Sequence, residues 1–390
     1  MRSPAIVFSV VCLAGFAILP VSAEEAVRAR INPALSERDD HYIERQNEVF
    51  LATVRELLVA HPPVPKPGVE RRMAFNLLDA VLHEPYAPNR PEVIGFHHER
   101  IERAVAEIET TAVTEGARIW QLYNHGFVVR TPSVTLAFDL FRGPSRTVGQ
   151  DASGAESRIP TPDFPISDAL AKRLADQCDV LFISHWHYDH ADPFIAKTMM
   201  DQGKPVVATR ETFSSEKRYS SYDYDLQPIH ERLEFMERKA HEVQKLPIQS
   251  GRTSLDVIVY PGHQGGHLCN NVVVTTPEGL NFVHNGDQYN DPTNPEQRDF
   301  EWIDQMKDHA DIDVVFSNCW MEDPLRYVEG ADPALTILGH MVEMGHPSWD
   351  RMAYWGDGAF IQSTYDALLA SDRPTLIMAW GESYHYTKAK

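Results

Sequence analysis

Cysteine is scarce in this chain, with four residues in 390. A small domain stapled together by disulfides is thereby excluded. Basic side chains are also in deficit, 36 Lys and Arg against 56 Asp and Glu, for a formal net charge of −20. Gripping nucleic acid by its phosphates needs a basic footprint, so no nucleic-acid partner is expected. No unit recurs at a fixed period, which excludes collagen and solenoid arrays. After residue 20 no apolar run is long enough to cross a bilayer. What is present is apolar sequence in quantity: 43% of the residues are hydrophobic, which excludes intrinsic disorder. At roughly 100–200 residues per domain, the length allows one large domain with additions or two ordinary ones.

The N-terminus is the one strongly apolar segment. Arg2 is followed by an apolar stretch from Ala5 to Leu19, then by the small residues Val21-Ser22-Ala23 before Glu24. This pattern predicts a signal peptide over residues 1–23 and a secreted or periplasmic protein with no stable membrane span after cleavage. Only Cys178, Cys269 and Cys319 are left after that cleavage. Three is odd, so at least one thiol is free or capped, and the pairing of the other two is open.

Residues 24–116 read as a helical extension without chemistry of its own. Leu35 to Ala60, Val69 to Leu82 and Pro91 to Thr111 carry apolar residues at helical spacing. Glu99, Arg100, Glu102 and Arg103 read as a solvated face, and His97-His98 as surface residues. From residue 117 to 390 the character changes. Arg118 to Val129 and Ser133 to Leu140 read as strands, and Arg142 to Ser167 as a long mobile loop. A helix over Asp168 to Gln177, a strand over Val180 to Ser184, a helix over Asp192 to Gln202 and a strand over Pro205 to Thr209 then alternate. Such alternation belongs to an α/β layered domain. Short strands follow at Leu255–Tyr260, Asn271–Thr275, Asn281–Val283, Val314–Phe316 and Leu335–Leu338.

The chemistry concentrates in Ser184-His185-Trp186-His187-Tyr188-Asp189-His190, just past a buried strand. In extended backbone, residues two apart project to one side, so His185 and His187 can bind one cation together. Asp189 and His190 lie on the turn into the next helix and can face a second. Neutral imidazoles with a carboxylate suit zinc, manganese or iron(II).

That run is the His-x-His-x-Asp-His signature, and the chain resembles the metallo-β-lactamase superfamily in the order of its remaining motifs over about residues 117–350. Asp139 after a strand, His263 in Pro261-Gly262-His263-Gln264, Asp287 in His284-Asn285-Gly286-Asp287, and His340 after Leu335 to Leu338 match in turn. Tyr123-Asn124-His125-Gly126-Phe127 is similar to the branch holding ascorbate-6-phosphate lactonase and N-acyl-phosphatidylethanolamine phospholipase D. The resemblance implies an α/β, four-layer αββα metallo-β-lactamase fold. It also implies two divalent metal ions, zinc first, with manganese or iron(II) as alternatives. His185, His187 and His263 would hold one ion, and Asp189, His190 and His340 the other, with Asp287 bridging. Asp139 would orient a ligand histidine from behind.

By the same resemblance, a metal-bridging hydroxide attacks a small-molecule ester, lactone, amide or phosphodiester. Asp189 and His267 are the candidate catalytic residues; His267 reads equally as a hydrogen-bond donor to substrate or as a plain loop histidine. His346 competes with His340 for the last ligand position, and Glu343 and His385 read as supporting or structural residues. Cys269 reads as a small packed residue, Tyr219, Tyr222 and Tyr224 as rim or surface cover, and Gly262, Gly265 and Gly266 as turn glycines. The alternatives to a hydrolase are a non-haem iron oxidoreductase and a non-catalytic metal-binding protein, both on this fold.

Overall fold

The structure is a computed structural model that describes residues 42–82, 86–150, 156–215, 225–249, 252–289, 297–319, 321, 323–341, 368 and 370–388. The signal segment 1–23, Tyr219, Tyr222, Tyr224, Glu343 and His346 lie outside them. Residues Phe50–Lys390 form one compact unit, and of the preceding unit only residues 42–49 are described.

Three helices come first: α1 (Tyr42–Ala60), α2 (Val69–Leu82) and α3 (Pro91–Thr110). Strands β1 (Ala117–Gln121), β2 (Phe127–Arg130) and β3 (Thr135–Phe138) follow, then the pair β4 (Arg146–Gln150) and β5 (Glu156–Pro160). Next are α4 (Asp168–Gln177), β6 (Val180–Phe182), α5 (Pro193–Asp201), β7 (Val206–Val207) and the short α6 (Gln227–His230). A second run of strands comprises β8 (Gln244–Ile248), β9 (Thr253–Gln264), β10 (His267–Thr275) and β11 (Asn281–His284). The chain closes with α7 (Asp299–Ile303), β12 (Val314–Asn318), α8 (Pro324–Ala331), β13 (Leu335–Gly339), β14 (Thr375–Ile377) and β15 (Ser383–Tyr386).

Two sheets result. One has the order β15-β1-β2-β3-β6-β7, the other β14-β13-β12-β11-β10-β9-β8. Alternation along the strands explains how they stack. Ile119, Phe127, Val129, Leu136 and Phe138 of the first sheet share one core with Val257, Val259, Val272, Val274 and Phe316 of the second. Their neighbours Trp120, Val128 and Ala137 point the other way, into a core with Phe75, Phe96, Ile101, Leu174 and Ile195 from helices α2 to α5. On the far side, Ile258, Tyr260, Val273 and Val315 meet Trp302, Ile303, Tyr327 and Ala331 of α7 and α8. With both faces covered, the strands must be apolar at nearly every position, as the sequence shows. The order helix, sheet, sheet, helix is the αββα arrangement.

Several expectations need correction. His97 and Arg100 are buried, not solvated. The segment after β14 covers that face of α3. His97 stacks on Phe164 with ring centres 4.4 Å apart and meets Trp380 edge-on at 5.1 Å. Burial lowers its pKa to about 3. Arg100 donates to the Trp380 carbonyl, and burial lowers its pKa to about 10. Arg71 of α2 is equally buried: it donates to the Ile377 carbonyl (2.6 Å) and pairs with Glu382. Residues 142–167 are not a plain loop but carry the β4–β5 hairpin. The hairpin's base is tied by Arg142 Nε donating to Asp192 Oδ2 (2.9 Å). Arg118 to Val129 breaks into β1 and β2 at a turn in which the Gly126 N–H donates to the Tyr123 carbonyl (2.9 Å). Gly262 lies inside β9, whereas Gly265 and Gly266 do form the turn of the β9–β10 hairpin. His385 is exposed on β15, opposite Arg118. Cys178, Cys269 and Cys319 are all buried, and none of them is in a disulfide.

Candidate metal centre

Strand ends build the site. Strand β3 stops at Phe138, and Asp139 takes a left-handed conformation (φ 43°) while its N–H donates to the Phe182 carbonyl of β6 (2.9 Å). This places the Asp139 carboxylate under the turn that follows β6. Oδ1 accepts from the Ser184 N–H (2.7 Å), and Oδ2 from the Ser184 hydroxyl (2.6 Å). Oδ2 also lies 2.7 Å from His190 Nδ1.

Donor and acceptor counting then fixes the imidazoles. A carboxylate only accepts, so His190 donates from Nδ1 and turns Nε2 toward the site. The Ser184 hydroxyl has one hydrogen, given to Asp139, so it accepts from His185 Nδ1 at 2.9 Å. His185 Nε2 is left buried without a hydrogen-bond partner. A bare buried nitrogen carries a free-energy cost unless something positive meets it.

Asp287 occupies the middle. Its turn after β11 needs Gly286, which has φ 52° and stands where a Cβ would lie 2.4 Å from Ser184 Cβ and 2.7 Å from Cys269 Sγ. Asp287 Oδ1 is 2.7 Å from His340 Nε2, and Oδ2 is 3.2 Å from His190 Nε2 and 3.6 Å from His185 Nε2. Gln264 Nε2 donates to Oδ2 (2.9 Å). His340, directly after β13, is left-handed (φ 57°) and stacks on His125 with ring centres 5.2 Å apart. The preceding residue must be glycine, because a Cβ on Gly339 would come within 1.6 Å of His125 Nδ1.

Two overlapping donor groups emerge among the described residues. Asp189, His190, Asp287 and His340 form one, and His185, His187 and Asp287 the other; within each, the ligand atoms all lie within 4.8 Å of one another. Asp287 belongs to both. His263 belongs to neither: on β9, its Nδ1 lies 3.0 Å from both oxygens of Asp299. His267 follows the Gly265-Gly266 turn, with its ring 5.2 Å from Trp186 and 5.7 Å from His187, and its Nδ1 4.0 Å from Glu211.

Electrostatics fit a cation. Burial lowers the pKa of His185 and of His187, which favours the neutral imidazole at both. Burial opposes charge on His190 too, but the carboxylates of Asp287, Asp189 and Asp139 outweigh it and raise its pKa well above the usual value. A proton there takes the place of the positive charge that these acids call for. Asp287 goes the other way: burial would raise its pKa, but His190 and His340 hold it far below the usual carboxylate range. Cys269 is no ligand. Burial raises its pKa, and its thiol faces the Asn285 carbonyl at 3.5 Å.

Some participants are not marked as site residues by their residue type. Asn124 (φ 57°) donates from Nδ2 to Asp189 Oδ2 (2.8 Å) and offers its carbonyl to the His340 N–H (3.4 Å). Gln264 and Gln288 directly follow the motif residues His263 and Asp287, and Asp299 stands apart from any motif. Only the positions themselves, just past strand ends or at a hairpin tip, could have flagged them.

No family model matches the chain, and no curated protein matches it. Solved structures do. A metallo hydrolase from the hyperthermophilic archaeon Ignicoccus hospitalis is 12% identical over 70% of this chain and 99% of its own, with a TM-score of 0.42. An isothiocyanate hydrolase from Delia radicum gut bacteria is 14% identical over 69% and 99%, with a TM-score of 0.44. A diiron β-hydroxylase from Streptomyces venezuelae is 13% identical over 71% of this chain but 55% of its own, with a TM-score of 0.41. None of these likenesses decides the reaction.

Proposed function

We propose that this protein is a metal-dependent hydrolase of the metallo-β-lactamase superfamily, holding two divalent ions. His185 and His187 would hold one ion and Asp189, His190 and His340 the other, with Asp287 common to both groups. His263, outside both groups with its Nδ1 on Asp299, is proposed to join His185 and His187. The observation that carries the reading is the convergence of buried nitrogen and carboxylate donors into two groups that share Asp287. The buried Nε2 of His185, without a hydrogen-bond partner, supports this reading. The donors are imidazole and carboxylate without thiolate, which suits zinc, manganese or iron(II). Zinc is the first choice.

When bound, such ions acidify a water and polarise the oxygen under attack. The protein's own part is positional. Ser184 and Asp139 orient His185 and His190, Asn124 turns the Asp189 carboxylate, and Gln264 holds Oδ2 of Asp287. His267, beside His187 and partly exposed, is placed to donate a hydrogen bond to a bound substrate. The proposed substrate class is a small ester, lactone, amide or phosphodiester. Export is part of the proposal and rests on residues 1–23.

The test is turnover of the metal-loaded protein on a panel of lactones, phosphodiesters, amides and β-lactams. A chelated sample and an oxygen-consumption assay run alongside. Hydrolysis that a chelator abolishes supports the reading. Oxygen uptake without hydrolysis would assign the iron oxidoreductase instead, and inactivity in both assays with metal bound would leave a metal-binding protein.

A further inference from the structure

A continuous hydrogen-bonded line runs through the second sheet to His263. Tyr327 of α8 donates its hydroxyl to Asn271 Oδ1 (2.9 Å), and Asn271 Nδ2 donates to Gln288 Oε1 (2.8 Å). Gln288 Nε2 donates in turn to Asp299 Oδ2 (2.7 Å). Asp299 faces His263 Nδ1 with both oxygens at 3.0 Å. Tyr327, Asn271, Gln288 and Asp299 are all buried.

The direction of the line is set by two independent fixed points. The Asp299 carboxylate only accepts, so Gln288 must turn its NH2 toward it. The backbone N–H of His263 only donates, and at 3.2 Å it requires Gln288 Oε1 on the opposite side. Both demand the same orientation of Gln288. Asn271 must then offer its NH2 to Gln288 and its oxygen to Tyr327.

A third observation is the glycine inside β9. Gly262 has no positive φ to explain it, yet a Cβ there would lie 2.2 Å from both Asn271 Nδ2 and Gln288 Oε1. The strand carries glycine at that point because the line passes beneath it.

We infer that Asp299, oriented by Gln288, Asn271 and Tyr327, is a positioning residue that holds His263 as the Nδ1–H tautomer. Nε2 is then left as a bare lone pair. This deepens the proposed function, since it rests on His263 as an imidazole ligand and explains how it is kept ready.

The test is the side-chain nitrogen spectrum of histidine in the metal-free full chain, which reads the tautomer directly. His263 is assigned by comparison with His263→Gln. Zinc affinity is measured in parallel by competition with a chelating dye. In the native protein His263 is expected as Nδ1–H. Asp299→Asn leaves one acceptor oxygen for two donors, so it is expected to mix the tautomers and weaken zinc binding by ~10–100-fold. Tyr327→Phe, which keeps the ring and removes one donor, should retain the tautomer and lose much less affinity. An Nε2–H tautomer in the native metal-free protein overturns the inference. A tautomer shift in Asp299→Asn with unchanged zinc affinity would sustain the line and remove His263 from the metal site.

Discussion

Asp139 Oδ2 and His190 Nδ1 lie 2.7 Å apart, and neither side chain is exposed. The same carboxylate takes both hydrogens of Ser184, whose hydroxyl in turn holds His185. One acid thus steadies an imidazole in each donor group. Asp139→Asn leaves a single acceptor oxygen for three donors, and it is expected to weaken both ions by ~10–100-fold. Ser184→Ala is expected to weaken only the ion at His185. Zinc competition titrations on the two variants check this; equal effects at both ions in Ser184→Ala would contradict it.

The last ligand is the next point. His340 follows β13 directly, and its Nε2 is 2.7 Å from Asp287 Oδ1 and 3.2 Å from His190 Nε2. A residue at the end of a rigid strand is held closely enough for a metal. His340→Ala is expected to lose the second ion and keep the first, whereas His346→Ala should keep both. Elemental analysis of the two purified variants decides, and loss of the second ion only in His346→Ala would reverse the assignment.

His97, which belongs to neither donor group, predicts an acid sensitivity of the fold. Its pKa is lowered from the ordinary 6.5 to about 3 in the folded state, chiefly by burial. The unfolded chain therefore binds a proton that the folded chain refuses. Stability is full above pH 6.5 and is lost as pH falls through the window from 6.5 toward 3, by about 1.4 kcal/mol per pH unit. His97→Phe keeps the stacking on Phe164 and removes the titration. Denaturant unfolding at pH 7 and pH 5 should show the variant losing about 2 kcal/mol less than the native protein. The same loss in both would contradict the prediction.

Gly286 offers a steric test. With φ at 52° and Ser184 Cβ 2.4 Å from a would-be Cβ, alanine cannot fit without moving the turn that carries Asp287. Gly286→Ala is expected to destabilise the fold by about 2 kcal/mol or more and to reduce metal content in what folds. Thermal melts together with elemental analysis check it.

Much of this was legible beforehand, for physical reasons. Helices over Asp168–Gln177 and Val69–Leu82 were readable at both ends, because Ser167 caps the first and apolar spacing marks the second. The strands β6 and β11 to β13, with the Leu255–Tyr260 half of β9 and the Asn271–Thr275 part of β10, announce themselves because both faces are covered, so the apolar run is continuous. The His185 to His190 cluster stands out because four ligand-type side chains within six residues are rare in a loop. By contrast, β14 and β15 are short, and β15 is an edge strand with His385 exposed, so its pattern is weak. The burial of His97 and Arg100 depends on Trp380, almost 300 residues away, which helical periodicity cannot foresee. Asn124, Gln264 and Asp299 act through hydrogen bonds formed only once distant strand ends meet.

The most direct measurement of the central claim is the number of metal ions per chain in protein purified without added metal and then reconstituted with excess zinc. Two donor groups sharing Asp287 predict two ions per chain, falling to one in His340→Ala. One ion or none in the reconstituted native protein would contradict the account.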